Sequence, residues 1–165
     1  MPALTIAKVT VFSDRLEALV RVEGAMRTSA YDGLCEAITE TFPALVSHRC
    51  DNDESRGMSE ELADTELAHL AEHVALELMR RAGIRGPLRG DTSWDFERDG
   101  AGVFHVILDC PDDALCVGAL SAAVRIVDEL VRGVRPPSVD ATVEGLRSSR
   151  GRNEPRPRPK RAPGR

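Results

Sequence analysis

The chain has 165 residues, of which 42% are hydrophobic, so it is long enough to form one domain with a buried core and a tail. Its formal net charge is −5. No apolar run reaches the roughly 20 residues of a spanning helix, and the first residues alternate in polarity instead of forming a signal-peptide core, so we expect a cytoplasmic protein without a membrane partner.

The four cysteines, Cys35, Cys50, Cys110 and Cys116, form no CxxC pair. In a cytoplasmic protein this spacing favours reduced thiols over disulfides. A zinc site built from cysteines is therefore not expected.

Two apolar runs open the chain and predict an antiparallel strand pair. The first run includes Leu4 and Val11, the second runs from Leu19 to Val22, and the polar stretch SDRLE lies between them. A helix is predicted next, capped by Thr28 or Ser29 and extending through Glu40. Pro43 would end it. The short apolar segment 44–50, ALVSHRC, predicts a third strand, and the polar segment 51–57 predicts a mobile loop.

The segment from Asp64 to Gly83 predicts the main helix. Asp64 or Thr65 would cap its first turn, and Gly83 would end it in a left-handed conformation after two arginines. Apolar residues recur at helical spacing along one side and would face the core: Leu67, Leu70, Ala71, Val74 and Leu78. The other side carries His69, Glu72 and His73.

The rest of the body predicts a loop, a strand and a helix. Residues 84–102 are rich in Gly, Asp and Arg and predict a long loop. Val103–Cys110 predicts a strand, and Asp113–Arg132 predicts a helix ended by Gly133 and two prolines. The order of elements predicts an α+β fold, in which a mixed β-sheet packs with about three helices in two layers. We expect one domain over residues 1–135.

Residues 136–165 predict a disordered basic tail. The last 19 residues hold eight Arg and Lys against Glu154 alone, which leaves the body at a formal charge of about −12. A Pro/Arg-rich segment without large apolar side chains cannot bury enough surface to offset its ordering entropy. A basic tail is able to bind nucleic acid, but the strongly acidic body argues against that partner.

His69, Glu72 and His73 form the pattern HxxEH, which is typical of inverse zinc peptidases. Two histidines four residues apart on a helix can bind one Zn²⁺ ion, and Glu72 projects beside them, where it would deprotonate a water molecule. The same letters also occur on solvated helix faces, so the pattern alone leaves both interpretations open. His48 and His105 lie in strand-like runs and are interpreted as structural.

Three segments, in this order, carry a resemblance to a known family: ALVSHRC, AHLAEHVALELMRRAGI, and GVFHVILDCPDD with the following AAVRIVDELVRG. Together they resemble the N-terminal domain of cyanophycin synthetase, the bacterial enzyme that polymerises aspartate and arginine. The resemblance covers roughly residues 4–133. It implies a stand-alone domain that is not itself an ATP-dependent ligase, because nothing in the chain looks like the ATP-grasp and Mur-ligase-like domains that perform the ligations.

The resemblance also implies two functions. The family's domain is associated with holding the growing polymer, and in some members it resembles a metallopeptidase that trims chains. For a peptidase, the resemblance implies that His69 and His73 are zinc ligands and that Glu72 is the general base. The third ligand would come from Asp112 or Asp113, where the family often has paired glutamates, with Asp109 or Glu77 as alternatives.

Substrate contacts would come from Arg89 and Trp94 in the loop 84–102. The partner implied by the resemblance is a peptide or amino-acid polymer. The alternative to a peptidase is a binding or accessory module for a separate ligase, with recognition by this loop and by the surface around Arg125 and Arg132.

Overall fold

The computed structural model describes residues 1–50 and 57–150. The predicted α+β class is confirmed. Four strands form one sheet: β1 (Leu4–Val11), β2 (Arg15–Val22), β3 (Gly90–Ser93) and β4 (Val103–Asp109). The helices found in these two ranges are α1 (Leu34–Thr41), α2 (Met58–Glu61), α3 (Leu67–Arg81), α4 (Phe96–Asp99), α5 (Asp113–Val131) and α6 (Val139–Arg150).

The sheet has the strand order β1-β2-β4-β3, and each of its three pairings is antiparallel. The sheet is therefore antiparallel in all its pairings and not mixed as was expected, although the α+β class is confirmed. A tight turn joins β1 to β2, as predicted, and the amide of Phe12 donates to the carbonyl of Arg15 across it. The chain enters the other edge through β3 and reverses into β4, so β4 runs antiparallel to both of its neighbours.

One face of the sheet is buried beneath the two long helices. On β2, Leu16, Ala18, Val20 and Val22 are buried and alternate with residues that are more exposed. On β4 the buried alternate positions include Val106 and Leu108. This period of two is the pattern of a sheet that is packed on one side only.

The helix α3 lies at the centre of the molecule. It packs against α5 and the sheet, and every residue from Leu67 to Met79 except His69 is buried. Glu72, His73 and Glu77 are consequently only 3%, 2% and 5% exposed. The polar side of this helix is therefore covered, and the alternative of a freely solvated HxxEH face does not hold.

The two ends of α3 differ in how they match the prediction. The residue at the N-cap is Glu66, without a side-chain cap, so the predicted caps at Asp64 or Thr65 are wrong. The predicted end is confirmed, because Gly83 has a φ of 102° and its amide donates to the carbonyl of Arg80. The amide of Ile84 donates to the carbonyl of Met79, which completes a Schellman motif.

Three local predictions are wrong. The helix predicted to be capped by Thr28 or Ser29 begins at Leu34, with Gly33 at its N-cap. Segment 44–50 is not a strand, because Pro43–Ser47 forms a 3-10 helix that follows α1 directly. Pro43 lies in its first turn, where the missing N–H causes no loss. The predicted loop 84–102 contains β3 and the single turn α4, so it supplies an edge strand that its Gly/Asp composition concealed. The loop prediction for 51–57 lies largely outside the described residues.

The segment predicted as a disordered tail contains α6. This helix packs on α5 through Val143 and Leu146, which are both buried. The guanidinium of Arg147 donates to the carbonyl of Arg81, at the end of α3. Residues 151–165, the rest of the predicted tail, lie outside the described residues. Within the described part of the chain, none of the helices is long and apolar enough to cross a membrane.

Candidate metal and catalytic site

The imidazoles of His69 and His73 meet on one side of α3. Their Nε2 atoms are 3.1 Å apart, and the ring centroids are 4.7 Å apart. Residues at i and i+4 are neighbours on a helix surface, so the helix itself produces this pairing. The structure thus brings together the two histidines that the HxxEH pattern predicted.

Cys50 supplies a third donor from a different segment. Its Sγ lies 3.5 Å from Nε2 of His73, and one ligand atom from each of Cys50, His69 and His73 lies within 4.8 Å of the other two. The group is large enough for one metal ion to sit between the three atoms. Cys50 was not among the residues predicted from the sequence, because its neighbours in the chain show no ligand spacing and only the fold brings it to α3.

Burial lowers the pKa of both histidines and so favours their neutral form. Burial, followed by the repulsion from His69 and His48, lowers the pKa of His73 to about 3. Burial also lowers the pKa of His69. A neutral imidazole has a free lone pair, which is the form that binds a metal. Burial raises the pKa of the Cys50 thiol to about 11, so a metal would have to displace its proton.

Glu72 lies beside the histidines and is held by the edge strand β3. The hydroxyl of Thr92 donates to Oε2 of Glu72 at 2.6 Å. Burial raises the pKa of Glu72 to about 7, although the hydrogen bond from Thr92 acts in the opposite direction. Gly90 covers the side chain so closely that an added Cβ would lie 2.7 Å from its Cγ.

Behind His73 lies a row of polar side chains. Nδ1 of His73 is 3.2 Å from Nδ1 of His48, and Nε2 of His48 is 3.1 Å from Oε2 of Glu77. Nε of Arg81 donates to the other oxygen of Glu77 at 2.8 Å. The hydrogen bonds from His48 and Arg81 lower the pKa of Glu77. His48, interpreted from the sequence as structural, therefore contacts the site directly.

On the other side, Nδ1 of His69 is 2.8 Å from the hydroxyl of Thr65, which is itself fully buried. The amide of Thr65 donates to the hydroxyl of Thr28. A hydroxyl can donate or accept, so Thr65 suits either tautomer of His69.

The carboxylates predicted as third ligands are used elsewhere. Asp112 caps α5 and accepts from the amide of Leu115, while Asp109 accepts from the amide of Arg89. Asp113 lies beside Cys110, and both oxygens of Glu77 are already hydrogen-bonded. None of these four residues is among the described residues that line the pocket at the histidines. His105, in β4, pairs with Asp99 at 2.8 Å and takes no part in the site.

A pocket of about 270 Å³ opens in front of the histidines and Glu72. Arg89 and Trp94, the two residues predicted to contact substrate, both line it. Trp94 is 47% exposed and its ring stacks on Phe96 with centroids 6.1 Å apart. The lining also holds charges of both signs, from Arg49, Glu61, Glu66 and Asp91. The role of Arg89 and Trp94 in substrate binding stays a prediction.

A family model described as the cyanophycin synthase-like N-terminal domain matches residues 14–132. The chain belongs to this family. The matched span runs from the start of β2 to the end of α5 and includes the three HxxEH residues. The resemblance stated from the sequence is therefore confirmed.

Curated proteins named cyanophycin synthetase are similar to this chain over part of its length. The one from Geminocystis herdmanii is 29% identical over 100 residues, which are 60% of this chain and 11% of that protein. The one from Synechocystis sp. is 30% identical over 105 residues, which are 63% of this chain and 12% of that protein. The chain thus spans only a small part of the length of these relatives.

Proposed function

We propose that Cys50, His69 and His73 hold a Zn²⁺ ion, and that Glu72 is the general base in the hydrolysis of a peptide or isopeptide bond. The observation that supports this is the convergence of a thiol and two imidazole nitrogens within 4.8 Å at the wall of a pocket that Glu72 also lines. A Zn²⁺ ion bound there would supply Lewis-acid activation of the scissile carbonyl and of a water molecule.

The donor set fits zinc better than a hard cation. Thiolate and imidazole are typical zinc ligands, whereas Mg²⁺ and Ca²⁺ take oxygen ligands. Three protein ligands leave a fourth tetrahedral position open, which is the pattern of catalytic zinc sites. The second nitrogen of each histidine already has a polar partner, His48 for His73 and Thr65 for His69, as is usual around bound metals.

We assign the proton transfer to Glu72. Its side chain lines the same pocket as His69 and His73, and the hydroxyl of Thr92 donates to its Oε2. A general base must lie within hydrogen-bond reach of the proton that it removes. Gly90 packs directly on the Glu72 side chain and leaves no free space between the two.

The substrate class follows from the pocket and the relatives. Arginines and carboxylates both line the pocket, which suits a chain that carries both charges. The relatives are named as synthetases of cyanophycin, so we propose a polymer of aspartate and arginine as the substrate. Arg89 would pair with a substrate carboxylate, and Trp94 would stack on a guanidinium group.

The test is metal content together with hydrolysis. The full chain is purified without added metal, loaded with Zn²⁺ and dialysed, and zinc is measured by elemental analysis. We expect about one zinc per chain, no zinc in the His69→Ala, His73→Ala double variant, and a zinc-loaded but inactive Glu72→Gln variant. Release of short fragments from an aspartate/arginine polymer reports the activity.

Three results would contradict the proposal. Zinc retained by the double variant would show that the metal lies elsewhere. Zinc bound without hydrolysis of any peptide or isopeptide polymer would leave a structural metal site. Full activity in Glu72→Gln would remove Glu72 from the mechanism.

The second candidate is a binding module that holds such a polymer without cutting it. The exposed Trp94 at the pocket wall favours this function, since a large exposed aromatic ring is a common recognition element. Polymer retention would then survive Glu72→Gln and weaken with Trp94→Ala. Of the other predicted contacts, Arg125 lies on α5, and Arg132 follows its last residue and is paired with Asp128. If an Arg125→Glu variant retains the polymer as well as the wild-type protein does, that surface is not the binding site.

A further inference from the structure

Four side chains form a continuous row that ends at one of the proposed ligands. Arg81 donates to Glu77 at 2.8 Å, Glu77 contacts Nε2 of His48 at 3.1 Å, and Nδ1 of His48 contacts Nδ1 of His73 at 3.2 Å. The side chains of His48 and Glu77 are only 9% and 6% exposed. Water therefore competes little for these bonds.

The directions of the bonds follow from what each group can donate. The hydrogen bonds that His48 and Arg81 make to the two oxygens of Glu77 lower the pKa of its carboxyl, so the ionised carboxylate can only accept from His48. His48 consequently carries a proton on Nε2. In a neutral imidazole the other nitrogen then has a lone pair, so Nδ1 of His48 accepts.

The same rule applies to His73. Its Nδ1 faces an acceptor and must carry the proton, which leaves a lone pair on Nε2. That nitrogen is the one that faces Cys50 and His69, at 3.5 Å and 3.1 Å. Without a metal, Nε2 of His73 accepts from the thiol of Cys50 or from His69. With a metal, the same lone pair is the ligand.

We propose that Glu77 and His48 are positioning residues that hold His73 in the tautomer with its proton on Nδ1, so that Nε2 is ready to bind a metal. The importance of this row for metal binding rests on the proposed function, whereas the tautomer itself does not. Neither residue touches the metal or the substrate in this assignment.

The chain connection adds a second reason for the arrangement. His48 comes two residues before Cys50, directly after the 3-10 helix Pro43–Ser47, and its carbonyl accepts from the amide of Met58. One short segment therefore delivers both the partner of His73 and the third donor. The position of this segment on α3 couples the orientation of His73 to the presence of Cys50.

The test begins with the tautomer in the metal-free protein. Long-range ¹H–¹⁵N correlation spectra of the labelled full chain, in mildly alkaline buffer where free imidazole is neutral, show which ring nitrogen of each histidine is protonated. The chain has four histidines, so single substitutions assign the signals. We expect the proton of His73 on Nδ1.

Glu77→Gln is the variant that tests the row. It keeps the shape of the side chain, but the amide group can donate to Nε2 of His48 and so reverse both rings. We expect the Nδ1–H pattern of His73 to be lost and Co²⁺ affinity, followed by its visible absorption, to fall roughly 10- to 100-fold. The matched control is Glu144→Gln, the same change at an exposed position of α6, which should alter neither. His48→Phe, which fills the same space without an acceptor, should act like Glu77→Gln.

Each outcome decides the proposal. A proton on Nε2 of His73 in the wild-type protein overturns it, and so does wild-type Co²⁺ affinity in both Glu77→Gln and His48→Phe. Protonation at Nδ1, lost in Glu77→Gln, supports the tautomer assignment even if the wild-type protein binds no metal. In that last case the proposed function fails and the positioning of His73 by His48 and Glu77 stands.

Discussion

Thr92 donates a hydrogen bond from its hydroxyl to Glu72 over 2.6 Å, and this contact joins the edge strand β3 to the central helix. The two residues are 20 positions apart, and the strand that carries Thr92 lies in the segment 84–102, which was predicted as a loop. The pair fixes the orientation of the only buried carboxylate that shares the pocket with His69 and His73 among the described residues.

Replacing Thr92 by Val removes the hydroxyl and keeps the shape. We expect the free energy of unfolding to fall by about 1 to 3 kcal/mol, because a buried carboxylate loses a hydrogen-bond donor. Zinc stoichiometry should not change, while hydrolysis should fall because Glu72 is less well held. Denaturant unfolding and zinc analysis measure these effects. Thr92→Ser, which keeps the hydroxyl, is the control, and equal losses in Val and Ser would show that the hydroxyl is not the cause.

Gly90→Ala should displace Glu72 directly. The added Cβ would overlap the Glu72 side chain, and this side chain is enclosed, so the carboxylate must leave its position. We expect a loss of hydrolysis with retained zinc, measured on the same samples. Gly145→Ala, where an added Cβ meets nothing within 4 Å, serves as the control. A fully active Gly90→Ala protein would contradict the proposed role of Glu72.

Cys50 distinguishes a three-ligand site from a pair of histidines. We expect Cys50→Ala to reduce bound zinc from about one per chain towards zero after dialysis, since two imidazoles alone make an incomplete zinc site. In the Co²⁺-loaded wild-type protein a thiolate charge-transfer band should appear in the near ultraviolet, and it should vanish in Cys50→Ser. Cys35→Ser, at a thiol that bonds the carbonyl of Leu62 instead, should retain the band. A band that persists in Cys50→Ser would assign the ligand to another cysteine.

Leu146 tests whether α6 belongs to the domain. Its side chain is buried against α5, where Gly118 permits a close approach: an added Cβ there would lie 2.8 Å from Cδ2 of Leu146. We expect Leu146→Ala to destabilise the protein by about 2 kcal/mol or more, as measured by denaturant unfolding. Ser148→Ala, on the exposed side of the same helix, should have little effect. Equal stability of the two variants would mean that α6 does not pack on the body in solution.

Gly102 should tolerate no side chain. It has a φ of 77°, and an added Cβ would collide with the carbonyl oxygen of Val22, where the end of β2 meets the start of β4. Gly24 has a similar φ of 84° but open space around it. Gly24→Ala should therefore lose about 1 to 2 kcal/mol from backbone strain alone, and Gly102→Ala clearly more. Comparable unfolding midpoints for the two variants would show that the contact between Gly102 and the carbonyl of Val22 does not matter for stability.

Much of the fold could be predicted from local patterns. Strand pair β1-β2, the helices α3 and α5 and the strand β4 follow from apolar periods of two or 3.6 residues, because these periods place one face of each element on the core. The end of α3 at Gly83 was predictable from a residue that adopts a positive φ without strain. The errors at the 3-10 helix Pro43–Ser47 and at β3 arise because these short elements carry no complete period. The longer helix α6 lies in a segment that was judged by its composition of Pro and Arg.

The sequence by itself determined the pairing of His69 with His73 and the adjacent position of Glu72, because one helix sets their spacing. Only the tertiary structure decided the third donor and the surroundings. Cys50, His48 and Thr92 come from separate segments that pack on α3, and their contacts depend on how those segments fold back on the helix. From the sequence, Asp112 was a candidate metal ligand, but in the folded chain its carboxylate caps α5. Local spacing encodes contacts within one helix, whereas contacts between segments are set by the packing of the whole core.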